Sequence, residues 1–198
     1  AVARLVVLNG THTTNGPVTI AGPLEIGGGT FANGAFLTDV QGDLFTSGTG
    51  VLEMTTSGTL NVSGNATFGG GSTAGLLTSG NLVVRGDLTQ AGGAQDALAP
   101  SGGHAVTLAG TGPQTISLAT PDLTRAAGCV TGSCFNRLLS IRGAGSGSVT
   151  FLSDAKMTSE LQLTGDSVIA PGHTLLAVGQ PAVTADVVIA GTIGWQTA

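Results

Sequence analysis

Apolar and polar residues alternate with period two along much of the chain. Val18, Ile20, Gly22, Leu24 and Ile26 alternate with Thr19, Ala21, Pro23 and Glu25, and Leu60, Val62, Gly64, Ala66 and Phe68 follow the same rule. Successive side chains of an extended strand point to opposite faces, so the pattern predicts short strands with one buried face. A second apolar cluster trails these segments: Phe31, then Val51 and Leu52, then Leu76 and Leu77. Gly, Ser and Asn lie between the clusters and supply turns. Each unit therefore predicts two or more short strands joined by turns.

The units repeat. Thr-Ile-Ala-Gly-Pro-Leu-Glu-Ile, Asp-Val-Gln-Gly-Asp-Leu-Phe-Thr, Asn-Val-Ser-Gly-Asn-Ala-Thr-Phe and Val-Val-Arg-Gly-Asp-Leu-Thr-Gln align on Gly22, Gly42, Gly64 and Gly86, at intervals of 20, 22 and 22 residues. Leu108-Ala-Gly110, Ile141-Arg-Gly143, Leu163-Thr-Gly165 and Ile189-Ala-Gly191 continue the series less evenly. Short strands repeating at this interval predict an all-β chain: a parallel β-solenoid, or β-helix, of about 20–25-residue coils. Right-handed winding is the expected hand. The aligned glycines concern backbone shape, where a missing Cβ permits a bend or a close approach. No Gly-rich segment ends in the Gly-Lys-Ser/Thr of a phosphate loop.

Residues 1–198 are expected to form a single solenoid segment with two excursions, at 91–104 and 119–136. The second accounts for the 33-residue interval between Gly110 and Gly143 and carries Cys129 and Cys134. With no other Cys, and His only at 12, 104 and 173, a metal site is poorly supported and a disulfide is the expectation. A disulfide would place the protein in an oxidising, extracytoplasmic compartment. Long loops leaving a rigid scaffold are common seats of function, which makes 119–136 the first loop to test.

Composition narrows the classes. The chain has 34 Gly, is 41% hydrophobic and only 9% charged, which argues against ordinary disorder. Glycine does not recur at every third residue, so collagen is excluded. Thr and Gly abound while Lys, Arg and Glu are scarce, which disfavours helix bundles. A formal net charge of −5, with the basic residues scattered, leaves no footprint for nucleic acid. No apolar run approaches the roughly 18 residues that span a bilayer as a helix, so membrane insertion is not expected. The opening Ala-Val-Ala-Arg-Leu, without an initiator Met, suggests a processed protein or a segment of a longer one.

Candidate chemistry is sparse. The acids Glu25, Asp39, Asp43, Glu53, Asp87, Asp96, Asp122, Asp154, Glu160, Asp166 and Asp186 are spread without a local cluster. Asp43, Asp87 and Asp166 each follow an aligned glycine, but Asn65 and Thr111 hold the intervening positions, which points to turn chemistry. Paired carboxylates for glycan cleavage, a Gly-x-Ser-x-Gly elbow and a Ca²⁺-binding nonapeptide are not evident. The sequons Asn61-Val-Ser63 and Asn65-Ala-Thr67 read as strand polar positions, and His12 as an exposed strand residue. Thr-x-Thr pairs do not recur at the repeat period. Trp195 is expected to cover the last coil. The expectation is a non-enzyme with no catalytic residue, no cofactor and no metal.

His104-Ala-Val-Thr-Leu-Ala-Gly-Thr-Gly-Pro-Gln-Thr-Ile116, Phe135-Asn-Arg-Leu-Leu-Ser-Ile141, Val149-Thr-Phe-Leu-Ser-Asp154 and Leu161-Gln-Leu-Thr-Gly-Asp166 together resemble repeats of large exported bacterial β-solenoid proteins. Such proteins are similar to adhesin and autotransporter passenger domains. The resemblance implies a parallel β-helix at a bacterial cell surface or in a secreted fibre, with a structural or adhesive role. No polar cap is evident at Ala1–Leu5 or Val187–Ala190, so continuation into a longer chain or self-association is expected. Contact with surface glycans or host cells is the further partner expectation. A glycan-binding or glycan-cleaving β-helix is the alternative.

Overall fold

The computed structural model describes residues 1–141, 147–164, 166–178, 180–183, 187–189 and 192–196, with the backbone alone at 180–183, 187–189 and 195–196. The repeat glycines Gly143, Gly165 and Gly191 lie outside the described residues. Described secondary structure consists of strands and turns, wound as a β-solenoid of about 8 coils of roughly 22 residues. Three lower coils have three strands each: β1 (Leu5–Val7), β2 (Thr11–Thr13) and β3 (Val18–Ile20); β4 (Leu24–Ile26), β5 (Thr30–Ala32) and β6 (Leu37–Val40); β7 (Leu44–Ser47), β8 (Val51–Glu53) and β9 (Thr59–Val62). Above them the coils carry β10 (Ala66–Gly69) and β11 (Asn81–Val84), β12 (Leu88–Gln90) and β13 (Ala105–Leu108), β14 (Gln114–Leu118) and β15 (Phe135–Ser140), and β16 (Val149–Phe151) and β17 (Ala155–Leu163). The series continues with β18 (Ser167–Ile169), β19 (Thr174–Val178), β20 (Gln180–Val183), β21 (Val187–Ile189) and β22 (Thr192–Gln196).

Every strand pairing is parallel. Sheet A runs β3-β6-β9-β11-β13-β15-β17-β19-β22, with β20 also on β17; sheet B runs β1-β4-β7-β10-β12-β14-β16-β18-β21; sheet C holds β2-β5-β8. The period-two alternation is the cause of this register. Inward residues stack on their equivalents one coil away: Ile20, Val40, Val62, Val84 and Leu108 in sheet A, and Leu24, Leu44, Ala66, Leu88, Ile116 and Phe151 in sheet B. All are buried in one continuous apolar column. The trailing apolar cluster forms the third face, where Phe31 pairs with Leu52, and Met54 bridges Leu77.

The aligned glycines sit at the corner between sheets A and B. Gly42 N–H donates to Gly22 O (3.1 Å), Gly64 to Gly42 O (3.0 Å) and Gly86 to Gly64 O (2.8 Å), so the corner is itself a backbone ladder. A Cβ on Gly42 would lie 2.7 Å from the Gly22 carbonyl carbon and 2.8 Å from Pro23 N, too close for any side chain. These positions are glycine because one backbone crosses directly over another.

The third face changes with height. From β10 upward it holds no named strand, and turns and loops at 70–80, 91–104 and 119–134 take its place. Sheet A lengthens in compensation. β15 has 6 residues and β17 has 9, with a register shift between Phe135 and Arg137.

Candidate functional site

Three features stand out from the stacked coils. The first is the row of polar residues that follows the corner glycines. Asp43 Oδ1 accepts from Asn65 N (2.7 Å), Asn65 Oδ1 from Asp87 N (2.8 Å), and Asp87 Oδ1 from Thr115 N (2.7 Å). Each side chain thus satisfies the backbone of the coil above, which is turn chemistry. The sequence alignment put Thr111 in this row, and the structure corrects that to Thr115. The corner above Gly110 is longer, and buried Gln114 fills it. Its Oε1 accepts from Gly110 N (2.8 Å), while its Nε2 donates to Val84 O (3.2 Å) and Gly86 O (2.5 Å). The side-chain amide substitutes there for the glycine-to-glycine bond. Asn65, the first residue of a sequon, is committed to the same ladder. Asp154 works similarly on another turn, its Oδ1 accepting from Thr174 N (2.7 Å).

The second feature is the outer face of sheet B. An open depression of about 420 Å³ is lined by Val6, Leu8, Glu25, Gly27, Phe45 and Ser47. Glu25 is paired with Arg4 (2.5 Å), which holds its carboxyl below the usual range. Further up the same face, Thr67, Thr89 and Ser117 succeed Phe45 in register, giving a short run of outward hydroxyls. Hydroxyls therefore do recur coil to coil here, although not as Thr-x-Thr pairs on every strand.

The third feature is the second excursion. Cys129 and Cys134 form a disulfide with Cα atoms 5.4 Å apart, as the sequence predicts. The loop is organised around Asp122, a buried carboxylate that accepts from Thr124 N (2.7 Å), Val130 N (2.5 Å) and Thr131 N (3.2 Å). Burial alone would raise the Asp122 pKa. The backbone and hydroxyl donors outweigh it and hold the carboxyl well below the ordinary carboxylate range. Lys156 reaches the same site from β17: its Nζ lies 3.4 Å from Asp122 Oδ2 and donates to Gly128 O (2.8 Å) and Thr124 Oγ1 (3.3 Å). Both charged side chains are fully shielded from solvent. Outside this hub, Leu123 and Val130 remain exposed.

Sequence reasoning counted Lys156 among scattered cations and passed over its place in the hub. The available signal was its position between Ala155 and Met157, at the head of an alternating strand. His104 was likewise quoted only for a resemblance. It is buried, its Nδ1 donates to Ser79 O (2.7 Å), and burial lowers its pKa against the opposing effect of that bond. His12 lies exposed on β2, as expected. Trp195 falls on β22 in register with Ala177, and its side chain lies outside the described set. Asp186 also lies outside the described residues. Among the described residues, no three His, Cys, Asp or Glu side chains gather into a metal-binding group. No family model matches the chain, and neither does any curated protein or solved structure.

Proposed function

We propose that the chain is a structural, adhesive segment of a bacterial surface or secreted fibre protein. The observation that carries this reading is the uninterrupted parallel ladder ending in free edges: β1 and β2 each pair on one side only, and β3 is met there only by the Val2–Ile20 bridge. Such edges template a further coil, in the same polypeptide or in another copy, and the stacked backbone bonds resist load along the axis. The disulfide is compatible with export. Antibodies raised against the folded chain should label intact cells of the organism that makes it, and brief protease treatment of those cells should remove the label. Labelling that requires permeabilised cells would overturn the proposal.

A second reading rests on the depression beside Phe45. One aromatic ring, one carboxylate and a neighbouring hydroxyl row suit the binding of a sugar chain. Cleavage needs two opposed carboxylates, and this lining supplies Glu25 alone. Retention on immobilised polysaccharides, lost in Phe45→Ala with the fold intact, would support binding; unchanged retention would remove this depression from consideration.

A further inference from the structure

We infer that the 119–134 excursion is an oxidation-locked cover over Lys156, and that opening its disulfide exposes this amine while the coils beneath stay folded. The starting point is strand alternation. Ala155 and Met157 belong to the apolar column, so Lys156 between them points away from it. An outward lysine is ordinarily solvated, yet this one has no exposed surface. What hides it is the excursion, since Gly128 O, Thr124 Oγ1 and Asp122 Oδ2 all belong to that loop.

The disulfide belongs to the same unit. Phe135 pairs with Met157 and Lys156 pairs with Leu176, which places Cys134, Lys156 and Leu176 in one outward row. Cys134 and Leu176 are buried as well. Cys134 is fixed to the frame by its N–H, which donates to Leu98 O (3.1 Å). Cys129 adjoins Gly128, the acceptor for Lys156, and Val130, a donor to Asp122. The staple therefore ties the limb of the loop that covers Lys156 to a residue anchored in the coils. Without it, that limb is held by hydrogen bonds and one ion pair, each of which water can replace during local opening. The ladder from β15 through β17 to β19 uses none of the residues 119–134, so it does not need the cover.

A dithiol reductant performs the opening step. One reagent thiolate attacks the partly accessible Cys129 sulfur, breaking the S–S bond and releasing the Cys134 thiolate. The second reagent thiolate then displaces Cys129 and closes the reagent's own disulfide. Two electrons pass to the protein, and each cysteine takes a proton from solvent.

Lys156 is the only lysine, so acylation by a water-soluble amine-directed ester reports it without ambiguity beside the terminal α-amine. The labelling rate at Lys156, followed by mass spectrometry, should rise by about tenfold or more after dithiothreitol treatment and thiol blocking. The double variant Cys129→Ser with Cys134→Ser should label like the reduced protein under oxidising conditions. Amide exchange in β9 and β11 should stay protected in all three samples. Equal, slow labelling before and after reduction would overturn the lock, and fast labelling of the oxidised protein would overturn the cover. A rise accompanied by loss of protection in β9 and β11 would show that the loop does not open separately, which also overturns the inference.

Discussion

The lower coils, up to about residue 90, and the upper coils, from β13 to β19, close the same column by different means. Below, every contact is repeated: three short strands per coil, a glycine ladder at one corner, and a polar row in which each side chain serves the next coil. Above, contacts occur once. Gln114 fills a single widened corner, and one buried ion pair holds one stapled loop. Repetition spreads the energetic load over equivalent positions, whereas a one-off polar hub concentrates it. The repeated half should accordingly resist loss of any single polar group, and the specialised half should not.

The largest effect expected is at the hub. Asp122→Ala leaves the Lys156 ammonium buried without its carboxylate and should cost about 3–5 kcal/mol in chemical denaturation. Asp43→Ala removes one ladder bond from the repeated half and should cost only about 1 kcal/mol. Equal costs would erase the distinction between the halves.

Acid should expose the same contrast. The Asp122 carboxyl has a folded pKa below its unfolded value, so its stabilisation is present above the ordinary carboxylate range and is lost as pH falls below it. His104 also has a depressed pKa. As a base it stabilises the fold while neutral, and that contribution declines as pH drops below its unfolded value of about 6.5. Melting temperature should therefore fall in two steps on acidification. The upper step should vanish in His104→Leu, and the lower should flatten in Asp122→Ala.

Steric tests come next. Gly42→Ala meets backbone on three sides and should cost about 2–3 kcal/mol. Gly112→Ala, at the widened upper corner, meets nothing within 4 Å and should be close to neutral. Gln114→Ala strands Gly86 O and Gly110 N and should cost about 1–3 kcal/mol, read from the denaturation midpoint. The smallest effect belongs to Arg137→Ala. Its 2.7 Å pair with Glu160 lies at the surface, and its loss should change stability by less than about 1 kcal/mol.

The column itself was legible because alternation and interval are properties of sequence alone. Val18 to Ile26 announced two strands flanking Gly22, and Gly42, Gly64 and Gly86 announced their successors. What could not be read was the reason for those glycines, because contact with the coil below depends on stacking. Thr111 was misplaced for a related reason: an insertion at a corner moves the next strand without disturbing local alternation, so Thr115 inherits the position. Lys156 was hidden by its rule-abiding place on an outward strand position. Only the path of a loop more than twenty residues earlier in the chain decides that it is buried.

The ladder has a consequence for how such a chain changes length. Asp43 and Asn65, and Asn65 and Asp87, are each separated by 22 residues. The faces on either side of the corner advance by that same offset, Val40 to Val62 to Val84 and Leu44 to Ala66 to Leu88. A duplication or deletion of one such unit rejoins identical chemistry at both cuts, glycine over glycine and aliphatic over aliphatic. Recombination between neighbouring units can therefore lengthen or shorten the rod in steps of about 4.8 Å without inventing a new joint.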